Sequence, residues 1–333
     1  MTTMKQVAAR AGVSVATVSR VLNRSGNVAP DLRERVLEAV HELGYQPSAL
    51  ARGLRRQRTE TVGLLVPQID HPFFGTLLFH LEKRLFERGY RCFACSAEED
   101  PSKEEVYLDA LVRQQVDGCL IVPTSHGPVA VGRLHDRGMP LVLLDRDVPG
   151  LDVDRVHSDN RSGAAALANH LVELGHRRVT IIGARERSVP IHERAHGARA
   201  VLDAAGVECD MRTSESLDPF EAGYLAAREV LRGARRPTAL MALTDPLAIG
   251  AMRAVAEAGL RVPDDMSITG FDDITLASNV IPTLTTATQD VAQLAHEAVD
   301  LLLARVAEPS RPATTRVLAS RLVVRRSTGA PRE

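Results

Sequence analysis

Residues 4–23, MKQVAARAGVSVATVSRVLN, contain two short apolar-patterned segments separated by a single glycine. Apolar residues recur at helical spacing in the first segment, which predicts a short amphipathic helix. Gly12 supplies the positive φ that a tight turn needs, and Ser14 is placed to cap a second helix. That second segment is rich in β-branched residues, which propensity alone would assign to a strand. Its position directly after a glycine turn favours a helix-turn-helix instead.

The second helix presents small and polar side chains on the face that its apolar residues leave exposed. Small residues at the start of a helix let its backbone enter the major groove of DNA deeply, and an arginine there bonds the O6 and N7 atoms of guanine. Hydroxyl groups bind phosphates, which position the helix without reading sequence. The residues predicted to read bases are Val15, Ala16 and Arg20, and those predicted to bind phosphate are Ser14, Thr17 and Ser19.

A third helix is predicted to begin at Pro30 and to stop at Gly44, which completes a small bundle. Residues 46–58, QPSALARGLRRQR, follow it with a helical pattern that is weakened by Gly53 and by repulsion among the arginines. An isolated helix of this length is mostly unfolded. We therefore predict a hinge that becomes ordered when its positive charge is neutralised.

The 333-residue chain has an ordinary composition for a folded protein, with 44% hydrophobic and 25% charged residues, but its charge is unevenly distributed. Residues 1–60 contain ten Lys and Arg against five Asp and Glu, a net charge of +5, and because the whole chain carries −1, the other 273 residues carry −6. A basic N-terminal segment, here called the basic head, followed by an acidic remainder is typical of a phosphate-binding module attached to a separate sensor or enzyme. No signal-peptide core and no membrane-length apolar run is found, which predicts a cytoplasmic protein without a membrane partner.

From residue 61 onward, short apolar runs such as VGLLVP (62–67) and TALMALT (238–244) alternate with amphipathic helices. Nearly continuous apolar strands joined by helices form parallel sheets that are covered on both faces. Two cycles of this pattern predict two subdomains with a cleft between them, where the strand ends face each other. The predicted fold class is an N-terminal all-α helix-turn-helix DNA-binding domain followed by an α/β core of two doubly wound parallel-sheet subdomains.

Four segments together resemble the lactose-repressor (LacI/GalR) family of bacterial transcription regulators, in the family's order and spacing and across essentially the whole chain. They are MKQVAARAGVSVATVSRVLN, LGYQPSALARGLR, TVGLLVPQIDHPFF and GFDDITLASNVIPTLTTATQD. The resemblance implies a homodimer that binds a palindromic double-stranded DNA operator, a hinge helix that folds on DNA, and a core that is periplasmic-binding-protein-like. It also implies that Ala51 and Leu54 enter the minor groove, where Leu54 acts as a wedge at the operator's centre.

The predicted domains are a helix-turn-helix domain at 1–46, a hinge helix and linker at 47–60, and a ligand-binding and dimerisation core at 61–333. Within the core, the N-subdomain is predicted at about 61–159 and 290–319, and the C-subdomain at about 160–289 and 320–333. The tail after Arg326 has no heptads, which predicts a dimer without a C-terminal tetramerising coil.

The resemblance also implies where an effector binds in the interdomain cleft. The implied positions are Phe73, Phe74, Asp145, Arg194, Asp245, Asp272 and Gln289. Carboxylates and an arginine that converge in a cleft make paired hydrogen bonds to vicinal hydroxyls or bind an anionic group. The predicted effector is a sugar or a sugar-like molecule, with a nucleobase as the alternative, and for each residue alone a structural salt bridge is the alternative role.

Two positions depart from the family pattern. Thr244 stands where family members often have Asn, and Asp218 stands where they often have an aromatic residue, with Phe220 two residues further on. The chain has no Trp and only 3% aromatic residues, so the stacking surface that usually holds a sugar ring is poorly supplied.

Rival functions are supported by fewer features. Residues 192–196, HERAH, match the HExxH pattern of zinc proteases, but no third ligand stands downstream, and nucleotide-binding and nucleophile-elbow motifs are missing. The sequence therefore predicts neither an enzyme nor a cofactor. It predicts a sequence-specific DNA-binding transcriptional regulator, acting as a repressor under the control of a small-molecule effector. The alternative is a solute-binding protein without a transcriptional role, which the basic head argues against.

Overall fold

The computed structural model describes residues 2–22, 27–45, 58–124, 128–184 and 188–332. The chain divides into two compact units, residues 1–60 and 61–333. Ala51 and Leu54 lie outside the described residues, so their insertion into the minor groove stays a prediction. The finer domain boundaries given above also stay predictions.

The first unit is a bundle of α1 (Met4–Ala11), α2 (Val15–Leu22) and α3 (Pro30–Glu42). Thr3 and Gln6 cap α1 by exchanging hydrogen bonds between side chain and backbone. Gly12 follows with φ 65°, a left-handed conformation that a β-carbon would disfavour. Small and branched aliphatic residues from all three helices form one core: Val7, Ala8, Ala11, Val18, Val21, Val36 and Ala39. The predicted helix-turn-helix domain is confirmed.

The second unit is built on parallel sheets. Its strands are β1 (Thr61–Val66), β2 (Arg91–Ser96), β3 (Gly118–Ile121), β4 (Leu141–Leu144), β5 (Asp154–Ser158), β6 (Arg178–Ala184), β7 (Glu208–Ser214), β8 (Ala239–Ala242), β9 (Ser267–Thr269), β10 (Thr286–Thr288), β11 (Thr315–Leu318) and β12 (Arg321–Val323). One sheet has six strands in the order β11-β5-β4-β3-β1-β2, and another has four in the order β7-β6-β8-β9. All neighbouring strands within these two sheets are parallel, whereas β10 and β12 form an antiparallel pair.

Helices cover these sheets, and most begin at a side-chain cap or a proline. They are α4 (Pro72–Glu87), α5 (Pro101–Arg113), α6 (Pro128–Asp136), α7 (Asn160–Glu173), α8 (Val189–Ala204), α9 (Pro219–Arg232), α10 (Asp245–Glu257) and α11 (Val291–Ala307). Strands β3 and β4 are buried along their whole length, as parallel strands between two helical layers must be. The predicted α/β core of two parallel-sheet subdomains is confirmed. No helix in the described part of the chain is long and apolar enough to cross a membrane.

In the second unit, the chain leaves or enters the six-stranded sheet and its helices at three places. These crossings are residues 158–160 between β5 and α7, 288–291 between β10 and α11, and 318–321 between β11 and β12. The first turn of α7 packs closely against the third crossing, because a β-carbon on Gly163 would lie 2.6 Å from Cβ of Ser320. The crossings matter for function because several candidate site residues lie on them or bond to them.

Candidate functional site

The exposed side of α2 carries the three residues predicted to read bases. Ala16 and Arg20 are exposed and stand four positions apart, so they share one face of the helix. Val15, in the first turn of the same helix, is 42% exposed. The three side chains therefore form one surface that a groove of DNA could receive, while their role in reading bases stays a prediction.

The hydroxyl residues of this region fall into two groups. The Oγ of Ser14 accepts a hydrogen bond from the Thr17 N–H at 3.1 Å and lies 2.9 Å from the Thr17 Oγ1, so both hydroxyls lie at the N-terminus of α2, where anions bind favourably. Ser19 is different, because it is only 8% exposed. The helical rotation places Ser19 beside the buried Val18, and its side chain does not share the exposed face of Arg20. Its role as a phosphate ligand stays a prediction.

A polar cleft lies in the second unit, among segments that follow strands of both sheets. Its open space, including space open to solvent, is about 370 Å³. The lining residues are Gln68, His71, Phe73, Phe74, Asp145, Arg146, Ser188, Pro190, Ile191, Arg194, Thr244, Asp272 and Gln289. The structure brings together all the predicted effector positions except Asp245.

Arg194, on α8, is held in the cleft by several contacts. Its Nη1 lies 3.0 Å from the Asp272 Oδ1 and donates to the Leu243 carbonyl at 2.8 Å. Its Nε donates to the Asn160 Oδ1 at 2.8 Å. The guanidinium carbon lies 3.9 Å from the centre of the Phe271 ring, which adds a cation–π contact. These contacts fix the guanidinium in one orientation.

Asp272 and Gln289 form the second polar group of the cleft. The Gln289 Nε2 donates to the Asp272 Oδ1 at 2.8 Å, while the Gln289 Oε1 has no hydrogen-bond partner among the described residues. Burial raises the pKa of Asp272 to about 6, although the nearby Arg194 guanidinium opposes this rise. Asp272 also has φ 111°, a backbone conformation that residues other than glycine adopt only under constraint.

Asp145 and Arg146 come directly after β4 and form the third polar group. Asp145 is buried with φ 58°, and its Oδ1 has no hydrogen-bond partner in the described part of the chain. Arg146 Nη1 lies 2.7 Å from the Glu99 Oε1 and donates to a backbone carbonyl, and its guanidinium carbon is 5.6 Å from the centre of the Phe74 ring. Burial raises the pKa of Asp145, and the Arg146 charge opposes that rise.

Asp245 differs from the prediction, because it does not belong to the lining of the cleft. Its Oδ1 accepts from the Thr286 hydroxyl at 2.6 Å, and its Oδ2 accepts from the Ile274 N–H at 2.8 Å. Both oxygens are thus bonded within the core, where they tie the start of α10 to two later segments. Burial raises the pKa of Asp245 well above its ordinary value, and the Asp272 charge adds to the effect.

The two departures from the family pattern have different outcomes. Thr244 lines the cleft, and its Oγ1 also accepts from the Leu247 N–H at 3.4 Å as the N-cap of α10. Asp218 is exposed outside the cleft and caps α9 by accepting from the Phe220 N–H at 2.8 Å. Phe220 lies in the first turn of α9 and does not line the cleft, so it does not supply the missing aromatic surface.

Sequence reasoning missed several lining residues: Gln68, His71, Arg146, Ser188, Pro190 and Ile191. His71 was detectable, because it precedes Pro72 at the start of a predicted helix. Its Nδ1 accepts from the Phe73 N–H at 3.3 Å, and burial lowers its pKa to about 4, so the ring is neutral. The ring also packs 5.2 Å from the Phe74 ring.

The HERAH segment does not form part of a metal cluster. His192 and His196 are exposed, and the Glu193 Oε2 accepts a hydrogen bond from the Asn160 Nδ2 at 3.4 Å. No group of three or more His, Cys, Asp and Glu side chains is arranged to hold a metal ion in the described ranges.

A helix-turn-helix unit and a two-sheet core with a polar cleft together define a ligand-responsive DNA-binding regulator. Residues 3–48 match the family of bacterial regulatory proteins called lacI, and residues 168–328 match a periplasmic binding protein-like domain. The chain belongs to the LacI family of bacterial transcription regulators, and membership makes it a regulator and not an enzyme.

Individual relatives match nearly the whole chain. The HTH-type transcriptional repressor PurR of Mannheimia succiniciproducens is 33% identical over 98% of this chain and 98% of its own length. The ribose operon repressor of Escherichia coli K12 is 34% identical over 93% of this chain and 94% of its own. Among solved structures, the lac repressor dimer bound to operator and the anti-inducer ONPF has a TM-score of 0.87 and 27% identity, with 99% of each chain covered.

Proposed function

We propose that this protein is a cytoplasmic repressor that binds a palindromic operator as a homodimer and is controlled by a small-molecule effector in the cleft. The observation that carries the proposal is the presence, in one chain, of a helix-turn-helix with an exposed arginine and a polar cleft between two parallel sheets. The names of the relatives, which are transcriptional repressors, support the same function. A solute-binding protein without a transcriptional role would not need the helix-turn-helix of the first unit.

On the DNA side, we assign base reading to Val15, Ala16 and Arg20, and phosphate binding to Ser14 and Thr17. Arg20→Ala tests this assignment in gel shifts with a selected palindrome and with single base-pair variants of it. The substitution should cost about 1–3 kcal/mol and abolish the preference at one base pair of each half-site. Arg33→Ala is the matched control, because it removes an exposed arginine from α3. If Arg20→Ala weakens binding to all sequences equally, Arg20 contacts phosphate and not a base.

For the dimer, we propose a surface formed by Phe79 and Phe86 of α4. These rings are 61% and 73% exposed, and exposed aromatic residues of this size mark protein interfaces. Phe79 and Phe86 are seven residues apart, so they share one helix face. A second copy of the chain would cover both rings.

Phe86→Glu tests the dimer surface by light scattering after size-exclusion chromatography. We expect a monomer of about half the wild-type mass, with weaker operator binding, because a charge would be buried without a partner. Val106→Glu is the matched control, since Val106 is 61% exposed on α5, which packs against the opposite face of the sheet. A dimeric Phe86→Glu protein would place the interface elsewhere.

For the effector, we propose contacts to the six lining residues that the sequence singled out: Phe73, Phe74, Asp145, Arg194, Asp272 and Gln289. A sugar-like molecule is favoured because carboxylate and amide oxygens pair well with neighbouring hydroxyls. A nucleobase is the second candidate, because the Phe73 and Phe74 rings, 5.2 Å apart and edge to face, offer an aromatic surface to a flat ligand.

A further inference from the structure

The positive charges that line the cleft are already balanced by carboxylates. Arg194 is paired with Asp272 at 3.0 Å, and Arg146 is paired with Glu99 at 2.7 Å. His71 adds no charge, because burial lowers its pKa to about 4. Neither guanidinium therefore stands as an uncompensated cation for an anionic ligand.

The Asp145 carboxylate, in contrast, is the excess charge of the cleft. Its Oδ2 lies 3.9 Å from the Arg146 Nε, and that arginine has its closer contact with Glu99. The two carboxylates of Asp145 and Asp272 together with Glu99 outnumber the two arginines. A ligand that carries a phosphate or a carboxylate would add a further negative charge at this buried position.

Two buried acceptors in the cleft lack donors. The Asp145 Oδ1 and the Gln289 Oε1 both belong to lining residues, and neither has a hydrogen-bond partner in the described ranges. A carboxylate oxygen and an amide oxygen only accept hydrogen bonds, so the missing partners must be donors. Leaving such groups unpaired in a buried site is unfavourable, and a ligand hydroxyl would satisfy each of them.

We propose that the cleft binds an uncharged, hydroxyl-rich effector and rejects the phosphorylated and carboxylated forms of the same molecule, with Asp145 as the residue that sets this selectivity. The proposal rests on the proposed function of the cleft as an effector site. The burial of Asp145 favours the same selectivity. Burial raises the pKa of Asp145 because it destabilises the charged carboxylate. Hydrogen-bond donors of a neutral ligand stabilise that charge, whereas a second anion destabilises it further.

The test uses the full-length protein and pairs of ligands that differ in charge. Thermal shifts followed by calorimetric titration would compare D-ribose with ribose 5-phosphate, D-glucose with glucose 6-phosphate, and D-galactose with galacturonate. We expect at least one neutral member to bind at least tenfold more tightly than its charged counterpart. A charged member that binds as tightly as its neutral counterpart overturns the proposal, and so does the absence of binding by every neutral member at 10 mM.

A gel shift on the same preparation separates this proposal from the proposed function. If the protein binds an operator but no neutral sugar, the regulator stands and the selectivity proposal fails. If it binds neutral sugars selectively but no operator, the selectivity stands and the regulator fails.

Asp145→Asn identifies the selecting residue, because it removes the charge and keeps an acceptor at the same place. We expect the charged counterpart to bind within threefold of the neutral sugar, whereas Asp136→Asn, an identical change at an exposed residue of α6, should keep the tenfold difference. A tenfold difference retained by Asp145→Asn would show that Asp145 is not the selector. Gln289→Glu provides an independent measurement, since an added negative charge should increase discrimination, and unchanged discrimination would count against the proposal.

Discussion

Glu104→Gln should stabilise the second unit above pH 7 and have little effect near pH 5. Glu104 lies in the first turn of α5 and is fully buried. Its Oε2 accepts a hydrogen bond from the Thr124 N–H at 2.7 Å, but its Oε1 has no hydrogen-bond partner among the residues described. Burial raises the pKa of Glu104 from 4.5 to about 7, and the hydrogen bond from Thr124 opposes the rise only in part.

The sign and size of the effect follow from this pKa. Because the folded state binds the proton more tightly, the wild-type free energy of unfolding decreases as the pH rises from about 4.5 to 7, and the cost is complete above that window. At about 1.36 kcal/mol per pH unit, the difference between 4.5 and about 7 corresponds to about 3 kcal/mol. Glutamine keeps an acceptor for Thr124 but adds donors that need partners, so we expect a gain of about 1–3 kcal/mol.

Urea unfolding followed by circular dichroism at pH 5 and pH 8 measures this difference for the wild type and Glu104→Gln. Glu105→Gln is the matched control, because Glu105 is a half-buried neighbour whose contact is a surface ion pair with Arg133. It should change stability by less than about 1 kcal/mol at either pH. An equal stabilisation at both pH values, or a destabilised Glu104→Gln protein at pH 8, would refute the assignment of a buried charge.

Two further substitutions probe packing and buried charge in the second unit. Gly223→Ala would place a β-carbon against a backbone carbonyl of α10 and should cost about 3 kcal/mol. Gly132→Ala, whose β-carbon would make only an ordinary 3.9 Å contact with Leu151 Cδ2, should stabilise α6 by about 0.5–1 kcal/mol. Thermal unfolding that shows equal effects of the two substitutions would contradict the close helix contact. Asp154→Asn should cost about 3 kcal/mol or more in urea unfolding, because it leaves Arg305 and Arg311 without their buried carboxylate, and a change below about 1 kcal/mol would contradict this.

Much of the fold was predictable because its signals are local. Gly12 and Ser14 mark the turn and the cap of the helix-turn-helix within a few residues of each other. The central strands are continuous apolar runs because both faces are buried, and such runs are visible without knowing the partner strands. The resemblance then located most of the cleft, whose residues come from segments far apart in the chain.

The parts of the two sites that were not predicted have physical causes. They depend on contacts between residues far apart in the sequence, or on a helix too short to show a clear pattern. The burial of Ser19 was not predicted because α2 spans only about two turns, too few to define its buried face from apolar residues alone. Asp245 was misassigned because its hydrogen-bond partners, Ile274 and Thr286, lie 29 and 41 residues away. Arg146 was missed because its contact with Glu99 gives no sequence signal.

The hydrogen bonds beneath the cleft have a mechanical consequence. Arg194 bonds Asn160 at the first crossing, Asn160 bonds the Ser158 carbonyl, and Asp272 bonds Gln289 at the second crossing. A molecule that contacts Arg194 or Asp272 is therefore only one or two hydrogen bonds away from the segments that join the two subdomains. If the subdomains turn about these segments, we expect a shift of a fraction of an ångström at these side chains to become a larger movement at the far ends of the subdomains.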